Sequence, residues 1–255
     1  MIGCGMVVPT LGDRPQFLEQ SLRSIRSSGD VEIVVVRPST ASAIDGVIAP
    51  LVDRIIDDPM RGLAAAINCG IAALGSSVEF ASWLGDDDRL TDGSLRRARQ
   101  VLSSRPRASL VYGQCRYIDA DNRELFVNSS GRYASPLMLC GPQLVPQPGS
   151  LFRRSSFEKV GGLDEGLKWA FDLDLFLKLR REGELVFTRE VLSEFRWHEG
   201  SLSVGSRQGS VNEASKVRRR HLPRVLRGPS GIWEPALRQL ILFAGARVSR
   251  RMEAR

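Results

Sequence analysis

Three consecutive carboxylates, Asp86, Asp87 and Asp88, follow an apolar run in the stretch WLGDDDRL. The apolar run, residues 78–84, is typical of a buried strand, so the three charges lie where that strand ends. In parallel α/β sheets, ligands bind at the carboxyl ends of the strands. Adjacent carboxylates repel one another, and a divalent cation that prefers oxygen ligands, Mg²⁺ or Mn²⁺, relieves that repulsion. The alternative is a solvated acidic turn, after which Thr91 caps a helix.

A second candidate for chemistry is Asp172 in the segment WAFDLDLFLKL. It heads an apolar stripe at helical spacing, whose other members are Leu175, Phe176 and Leu179. Burial beside Trp169 favours the protonated carboxyl, whereas the helix N-terminus favours the carboxylate, and this balance suits a general base. The alternative for Asp172 is an N-terminal cap. Asp174 shares its face with Lys178 and Arg181, so we expect it to face solvent or to act as a helix-dipole charge.

The third candidate is His198 in the segment FRWHEGSLS, one of only two histidines in the chain. A lone histidine after a strand is usually structural. His198, however, follows Arg196 and precedes a Gly/Ser-rich loop, and such a loop can wrap a phosphate. Taken alone, the motif does not decide between these roles.

The elements that must position these residues alternate between strands and helices over residues 1–105. This alternation predicts an α/β fold with a Rossmann-like, mostly parallel sheet flanked by helices. The predicted strands are 6–8, 31–36, 52–56 and 78–84; the predicted helices are 13–29, 62–74 and one that starts after Thr91. Beyond Pro106, Pro- and Gly-rich turns separate short strands. We expect strands at 110–112, 123–127, 151–152, 185–187 and 192–195, and a helix over about 172–181.

The C-terminal region differs in composition from the rest. Residues 200–212, rich in Gly and Ser, predict a mobile loop or linker, and one or two helices follow from about Val211. Apolar residues recur at helical spacing among arginines over 232–248, which predicts a short, basic, amphipathic helical extension. Such a helix could bind an anionic membrane surface. It could equally pack on the protein's own core or on a second copy of the chain, as in a homodimer.

Length and composition set outer limits. A chain of 255 residues with 42% hydrophobic residues can bury a sizeable core in one large domain with an appendage. No window approaches the roughly 18 apolar residues of a membrane span, and the start lacks the pattern of a secretory signal, so we expect a cytoplasmic protein. The four cysteines show no CxxC pair and are expected to be reduced, mostly buried thiols.

The net charge of +7 is unevenly distributed. Residues 1–205 contain 24 Lys and Arg against 26 Asp and Glu, a balance of −2. Residues 206–255 contain 12 against 3, a balance of +9. The basic excess therefore lies in the tail alone. Because the body is slightly acidic and has no aromatic-basic surface pattern, we expect no nucleic acid partner.

Taken together, the motifs resemble one family, the inverting nucleotide-sugar glycosyltransferases of family 2 with the GT-A fold. VVPTLGDRPQFLEQSLRSI is similar to their first strand and helix, and DPMRGLAAAINCGIAALG to their Gly-rich segment and A-x-N-x-G helix. WLGDDDRLTDGSL resembles the metal-binding DxD region, QPGSLFRRSSFEKVGGLDEGLKWAFDLDLFLKLRREG the acceptor segment, and FRWHEGSLS the closing R-x-H block. The resemblance covers residues 6–203 in consistent order. It implies a nucleotide-sugar half at 1–105 and an acceptor half at 106–205, with 206–255 as a linker and tail.

The resemblance implies roles for individual residues. Asp172 would be the catalytic base, and His198 would help to hold the metal or the diphosphate. Asp86 and Asp88 would form the DxD pair; in an alternative register Gly85 takes the first acidic place and Asp87 binds the metal. The implied substrate contacts are Pro9, Thr10, Asp13, Arg14, Arg37, Arg61, Asn68, Gln147 and Trp169, with the loop 147–150 in the acceptor floor.

The sequence departs from the family pattern in several places. Arg37 stands in VVVRPST, where relatives often have an acid that contacts the base. Met60 and Ala65 likewise stand where many relatives have Asp. Phe171 replaces a Glu that often precedes the base, as it does in relatives with a D-x-D-L pattern. The identity of the nucleotide is therefore left open.

The implied activity is metal-dependent transfer of a sugar, of the hexosyltransferase type, from a nucleoside diphosphate sugar to an acceptor hydroxyl with inversion. The acceptor would be a saccharide or a lipid-linked molecule in polysaccharide, glycolipid or cell-envelope glycan synthesis, with the enzyme peripheral at the inner face of the membrane. A nucleotidyltransferase is an alternative, but it would need a Gly-rich phosphate loop that bears Lys or Arg, and VVPTLGDRP is a poor one. A degenerate, non-catalytic binding module is the other alternative.

Overall fold

The structure is a computed structural model and describes residues 3–128, 131–197 and 207–253. A central sheet runs through these residues in the order β3-β2-β1-β4-β8-β6-β9-β5, with β7 paired beside β6. The strands are β1 (Cys4–Pro9), β2 (Glu32–Arg37), β3 (Arg54–Asp57), β4 (Phe80–Trp83), β5 (Arg89–Leu90), β6 (Ala108–Ile118), β7 (Glu124–Asn128), β8 (Leu151–Arg153) and β9 (Glu184–Arg196).

Helices flank this sheet, and among the described residues three more helices follow its last strand in the chain. They are α1 (Pro15–Ser28), α2 (Asp45–Ile48), α3 (Leu63–Ala73), α4 (Ser94–Ser103), α5 (Ala134–Leu137), α6 (Arg154–Lys159), α7 (Phe171–Glu182), α8 (Arg207–His221), α9 (Arg224–Arg227) and α10 (Ser230–Glu253). Two short 3₁₀ helices, Ser39–Ile44 and Ala49–Leu51, lie on either side of α2. The α/β class that the sequence predicts is confirmed.

The first four strands in the sheet order, β3 to β4, are all parallel. Val7 and Val34 pair in register and point into one core, whereas their neighbours on the same strands point into a second core on the other face. Helix α3 packs closely on the first face. A Cβ at Gly70 would lie 2.3 Å from a methyl of Val7, so a glycine is required at this contact. This half of the sheet forms as the alternating pattern predicts.

The second half of the sheet is mixed, because β8 runs antiparallel to both β4 and β6. Strand β9 is parallel to β6 and is continuous, although the sequence predicts two separate strands there. The polar residues 188–190 form a bulge between Phe187 and Val191, and this bulge interrupts the apolar pattern without ending the ladder. Gly113 on β6 makes room for it, since a Cβ there would lie 2.6 Å from the Glu190 carbonyl oxygen.

The predicted helix cap at Thr91 is wrong. Helix α4 begins at Ser94 after Gly93, whose φ of 67° lies in the left-handed region that glycine tolerates. Thr91 instead donates its hydroxyl to the Val191 carbonyl at 2.6 Å. Because β5 pairs with β9, the residues that follow β5 are drawn to the sheet edge and cannot cap the helix.

The C-terminal helices are part of the folded body over the described residues. Helix α8 begins at Arg207, so the predicted mobile loop over 200–212 is wrong from that residue onward, and residues 198–206 lie outside the described part. Val211, Val217 and Leu222 of α8 are buried, whereas Ile232 and Leu240 of α10 are exposed, so the surface that residues 232–248 bind stays a prediction. Helix α10 packs on α8. Within the described ranges, no helix is long and apolar enough to cross a bilayer.

The cysteines match their prediction. All four are free thiols in the structure. Cys4 and Cys115 are buried, Cys69 is partly buried, and Cys140 alone is exposed.

Candidate active site

The acidic edge, which we define as residues 86–88, lies in the turn that follows β4. Leu84 still belongs to the sheet, because its N–H donates to the Val7 carbonyl at 2.9 Å. The chain then turns at Gly85, whose carbonyl accepts the N–H of Asp88 at 3.2 Å. The three carboxylates therefore lie at the carboxyl end of β4, where ligands bind in parallel α/β sheets.

Two side chains from the connection between β1 and α1 bind the acidic edge. The Thr10 hydroxyl donates to Asp86 Oδ2 at 2.6 Å. The Arg14 guanidinium donates to Asp86 Oδ1 at 2.9 Å and to Asp87 Oδ2 at 2.7 Å. Such charge-assisted hydrogen bonds are about twice as strong as neutral ones. The structure therefore places Thr10 and Arg14 against the carboxylates that the sequence singles out.

Arg196 braces the other side of the acidic edge and is fully buried. Its backbone N–H donates to Asp88 Oδ1 at 3.0 Å, and its Nε donates to the Asp87 carbonyl at 2.9 Å. Its Nη2 donates to Gln20 Oε1, and its guanidinium lies 4.4 Å from the centre of the Phe17 ring. The sequence interpretation missed this role, although the R-x-H block contained the residue.

Asp86 and Asp88 of the acidic edge are buried. Burial raises the pKa of Asp86 to about 6, although the Thr10 hydrogen bond and the Arg14 charge act in the opposite direction. Burial, and then the charge of Asp87, raise the pKa of Asp88 well above its usual range. The anionic forms are costly here, so a bound cation would stabilise them.

Two carboxylate oxygens converge over Gly85. A Cβ at Gly85 would lie 2.8 Å from Asp87 Oδ1 and 3.2 Å from Asp88 Oδ2, so the glycine leaves this space open. Hard oxygen donors suit Mg²⁺ or Mn²⁺, and Mg²⁺ is commonly bound by one or two carboxylates together with substrate phosphates. In the part of the chain that the structure describes, no three His, Cys, Asp or Glu side chains form a complete metal-binding group. The oxygen donors of the acidic edge suit a divalent cation, and its binding there stays a prediction.

The geometry favours some of the four predicted metal ligands over others. The convergence over Gly85 favours Asp87 with Asp88, while Asp86 is engaged by Thr10 and Arg14. The assignment of the working pair stays a prediction. His198, the fourth predicted ligand, lies outside the described residues.

Three further predicted donor contacts lie at the carboxyl ends of β1 and β2. Pro9 ends β1 and adjoins the acidic edge, and Asp13 is exposed with its Oδ1 3.7 Å from the Arg14 Nε. Arg37 ends β2 and is nearly buried, where it pairs with Asp45 through Nε at 2.9 Å and Nη2 at 2.6 Å, and with Asp57. Its charge is thus already balanced, and its contact with a nucleotide base stays a prediction.

Two other predicted donor contacts point toward the segment after α6. The Arg61 guanidinium is mostly exposed and lies 3.0 Å from Glu165 Oε2. Asn68 Nδ2 donates to the Leu163 carbonyl, and Asn68 Oδ1 accepts the N–H of Leu163, both at 3.0 Å. Asn68 therefore fastens α3 to the segment after α6, and its contact with a substrate stays a prediction.

Asp172 lies in the first turn of α7, as predicted, and is half-buried. Gln143 Nε2 donates to its Oδ2 at 2.7 Å, and the N–H of Leu173 donates to its Oδ1 at 2.7 Å. Among the described residues no arginine, lysine or histidine pairs with it. Burial raises the pKa of Asp172, and the two hydrogen bonds only partly offset that rise. Gln143, in a segment that we read only as turns, was missed by the sequence interpretation.

The start of α7 and the acidic edge are linked through Trp83, the last residue of β4. Gln147 Nε2 donates to the Trp83 carbonyl at 2.8 Å. The Phe171 ring lies 6.3 Å from the Trp83 ring, centre to centre. Because Asp172 follows Phe171 and the acidic edge follows β4, both groups are next in the chain to residues that contact each other. Trp169, also predicted here, lies just before α7 with the Lys168 ammonium 4.9 Å above its ring.

The expectation that Asp174 faces solvent is wrong. Asp174 is buried, and its Oδ1 lies 2.7 Å from His221 Nε2. Its Oδ2 lies 2.7 Å from Lys178 Nζ. Burial alone would raise the pKa of Asp174, but the bonds to His221 and Lys178 outweigh it and lower the pKa. The sequence pattern showed the i,i+4 partner Lys178 and could not show that α8 covers this face.

The chain is similar to two uncharacterised glycosyltransferases. The protein of Rickettsia prowazekii (strain Madrid E) is 27% identical over 180 residues, which cover 66% of this chain and 55% of that protein. The protein of Rickettsia typhi (strain ATCC VR-144 / Wilmington) is 27% identical over 181 residues, which cover 67% and 56%. The chain thus spans about half the length of these relatives.

Solved structures of S. aureus TarS share the fold. The structure of TarS 1-349 aligns with a TM-score of 0.62 at 13% identity and covers 89% of this chain and 68% of that one. TarS 1-349 in complex with UDP-GlcNAc aligns with a TM-score of 0.65 at 13% identity, over 89% and 69%. Residues 6–161, more than half of the chain, match the sequence model described as glycosyl transferase family 2. The chain therefore belongs to glycosyl transferase family 2.

Proposed function

We propose that this chain is an inverting glycosyltransferase that moves a sugar from a nucleoside diphosphate sugar to a hydroxyl of an acceptor. One observation carries the proposal. The acidic edge, whose burial makes a cation favourable, follows Trp83 at the end of β4, and Asp172, whose pKa is raised, follows Phe171, whose ring lies 6.3 Å from the Trp83 ring. A transferase of this class needs both a charge-compensated diphosphate site and a base next to it.

Asp172 acts as the general base in this proposal. Each of its carboxylate oxygens accepts one hydrogen bond, and each can accept another, so either can receive the proton of an acceptor hydroxyl. The raised pKa makes the carboxylate a stronger base than a solvated aspartate. The acceptor oxygen then attacks the anomeric carbon as the bond to the diphosphate breaks. A single in-line displacement inverts the configuration at that carbon.

The acidic edge holds the leaving group. A Mg²⁺ or Mn²⁺ ion bound there would neutralise the charge that develops on the diphosphate. Asp87 and Asp88 would supply its protein ligands, and Arg14 and Arg196 keep these two residues in place.

For the donor we propose a uridine nucleotide as the first to test, because TarS has been solved in complex with UDP-GlcNAc and with UDP. The identity of the transferred sugar is independent of that choice. A hexose derivative is our working assumption, in keeping with the hexosyltransferase type that the motifs imply.

We further propose that the acceptor is a lipid-linked or polymeric saccharide of the cell envelope, reached from the cytoplasmic face. Helix α10 supports a peripheral membrane contact, because Ile232, Leu240 and Phe243 are 83%, 62% and 57% exposed along one face. Nearby basic side chains, including Arg224 and Arg227, are also exposed. An apolar stripe beside basic residues suits an anionic lipid surface.

The test is a thermal-shift screen with UDP-, GDP- and dTDP-sugars, each with and without Mn²⁺. A ligand at one hundred times its Kd stabilises a protein by about 2.7 kcal/mol. We expect stabilisation by one nucleotide class, larger with Mn²⁺ than without. No stabilisation by any of them would favour the non-catalytic binding module.

Two variants make the screen specific to the acidic edge. Asp87→Asn and Asp88→Asn should lose the Mn²⁺-dependent part of the shift. Asp121→Asn, in the exposed connection between β6 and β7, should keep it. Turnover of the stabilising donor should release the nucleoside diphosphate, and NMR of the product should show the inverted anomer; a retained anomer would contradict the proposed displacement.

A further inference from the structure

We propose that Glu213, on α8, is a positioning residue for Asp172. Helix α8 would then contribute to the geometry of the catalytic base. The inference rests on the proposed function, in which Asp172 is the base. It adds a residue that lies beyond both the family match and the motifs that identify the base.

The first argument concerns the start of α7. The N-cap residue Ala170 makes no side-chain capping hydrogen bond. Glu213 instead binds the three backbone N–H groups that immediately precede the helix. Its Oε1 accepts the N–H of Lys168 at 3.0 Å, and its Oε2 accepts those of Trp169 at 2.6 Å and Ala170 at 2.7 Å. One carboxylate therefore fixes three consecutive amides that end two residues before Asp172.

The second argument concerns the anion-binding site that these three amides form. Successive N–H groups that face one point form a site for an anion, and the Glu213 carboxylate fills it. The bonds are charge-assisted, so they hold the backbone more firmly than a neutral cap would. Since a displacement of about 1 Å at a catalytic group can cost about a hundredfold in rate, fixing this backbone matters for Asp172.

The third argument is that α8 has other anchors. His221, at the far end of α8, binds Asp174, and its carbonyl accepts Arg181 Nη2 at 3.0 Å. The buried Arg218 binds Glu234 of α10. Glu213 is therefore not needed to attach the helix, and its loss should act on residues 168–170 before it acts on the fold.

The test compares Glu213→Gln with a matched control on the same helix. Arg220→Gln removes the exposed ion pair of Arg220 with Asp164 (2.9 Å) and leaves residues 168–170 untouched. For each protein we would measure hydrogen exchange of the segment 168–170, the melting temperature, and kcat and donor KM. UDP-GlcNAc with Mn²⁺ is the first donor, followed by whichever donor the screen identifies.

We expect Glu213→Gln to exchange faster at 168–170 and to lower kcat about tenfold, with donor KM within twofold of the wild type. Glu213→Asp, which keeps the charge on a shorter side chain, should recover part of the rate, and Arg220→Gln should match the wild type. The inference is overturned if exchange at 168–170 is unchanged in Glu213→Gln, or if its kcat stays within twofold. It is also overturned if kcat and melting temperature fall together while donor KM rises, because that pattern means general destabilisation.

Asp172→Asn separates this inference from the proposed function. If Asp172→Asn turns over donor at the wild-type rate, the proposed function fails and the positioning role fails with it. If Asp172→Asn is inactive while Glu213→Gln is fully active, only the positioning role fails.

Discussion

The two carboxylate sites of this protein are built in opposite ways. At the acidic edge, each carboxylate is bound or braced by an arginine side chain or its backbone, from Arg14 or Arg196. At the start of α7, the partners of Asp172 among the described residues are neutral donors, the Gln143 amide and a backbone N–H. Burial raises the pKa of Asp86, Asp88 and Asp172 alike, but an arginine charge opposes the rise at the acidic edge, whereas hydrogen bonds from neutral donors oppose it at Asp172. In the proposed function the acidic edge would hold charge and Asp172 would move a proton.

The same contrast recurs within α7. Asp172 and Asp174 are two residues apart, yet the pKa of Asp172 is raised and that of Asp174 is lowered. His221 and Lys178 make Asp174 a structural anion. The four predictions below test this division, from the largest expected effect to the smallest.

Asp172→Asn should abolish most turnover. Loss of a general base typically lowers kcat by about 10²- to 10⁴-fold, while donor binding at the acidic edge should persist. Steady-state kinetics and the donor-induced thermal shift measure the two effects separately. Asp174→Asn is the matched control on the same helix, and a similar loss of kcat in that variant would erase the distinction between the two aspartates.

Asp174→Ala should destabilise the fold by about 3 kcal/mol at pH 7, because it leaves Lys178 and His221 without their buried partner. The pKa of Asp174 is lowered in the folded state, so its contribution is present above the pKa of the unfolded chain and is lost as the pH falls through the folded value. Urea unfolding at pH 7 and at pH 3.5 tests both parts. An equal loss of stability at the two pH values would argue against an ionic role.

Arg14→Ala should destabilise the metal-free protein by about 1.5 kcal/mol, because Asp86 and Asp87 would lose their shared cation. Added Mn²⁺ should then stabilise the variant more than it stabilises the wild type. Arg23→Ala is the control: its ion pair with Glu19 is exposed, and such pairs contribute about 0.3 to 0.5 kcal/mol. Thermal shifts with and without Mn²⁺ measure both, and an identical Mn²⁺ response in Arg14→Ala and wild type would contradict the shared site.

The pH at which kcat falls on the acidic side (the acidic limb) of its profile should lie above the ordinary pKa range of an aspartate. Burial raises the pKa of Asp172, so the active carboxylate is lost as the pH falls through that raised value. The Glu213 charge adds to the rise, and Glu213→Gln should therefore move the limb to lower pH. Measuring kcat from pH 4 to 8 in both proteins tests this. A limb that moves upward in the variant would mean that Glu213 does not act through its charge.

The elements of residues 1–105 could largely be predicted from the sequence. Apolar runs at strand spacing predicted β1 to β4, and the capping and periodicity signals predicted α1 and α3, because each of these features depends on neighbouring residues. Asp172 was also found locally, since a carboxylate at the head of an apolar stripe is unusual. The acidic edge followed from its place after a strand.

The remaining features depend on contacts between distant parts of the chain. Asp174 looked like a surface charge because its face is covered by α8, whose His221 lies 47 residues further on. The bulge in β9 looked like a break because its polar residues interrupt an apolar run. Arg196 was noted only as part of the R-x-H block, although it binds Asp87 from 109 residues away. Local patterns cannot encode such partners.

The Glu213 carboxylate of α8, which binds the amides just before α7, has a consequence for how such a protein can diversify. The family match ends at residue 161, whereas the amides and the carboxylate that binds them lie at 168–170 and 213. Recombination between relatives that separates these two segments would leave three amides without their acceptor. The two helices are therefore expected to be inherited together, and substitutions at position 213 to co-vary with the residues that precede α7.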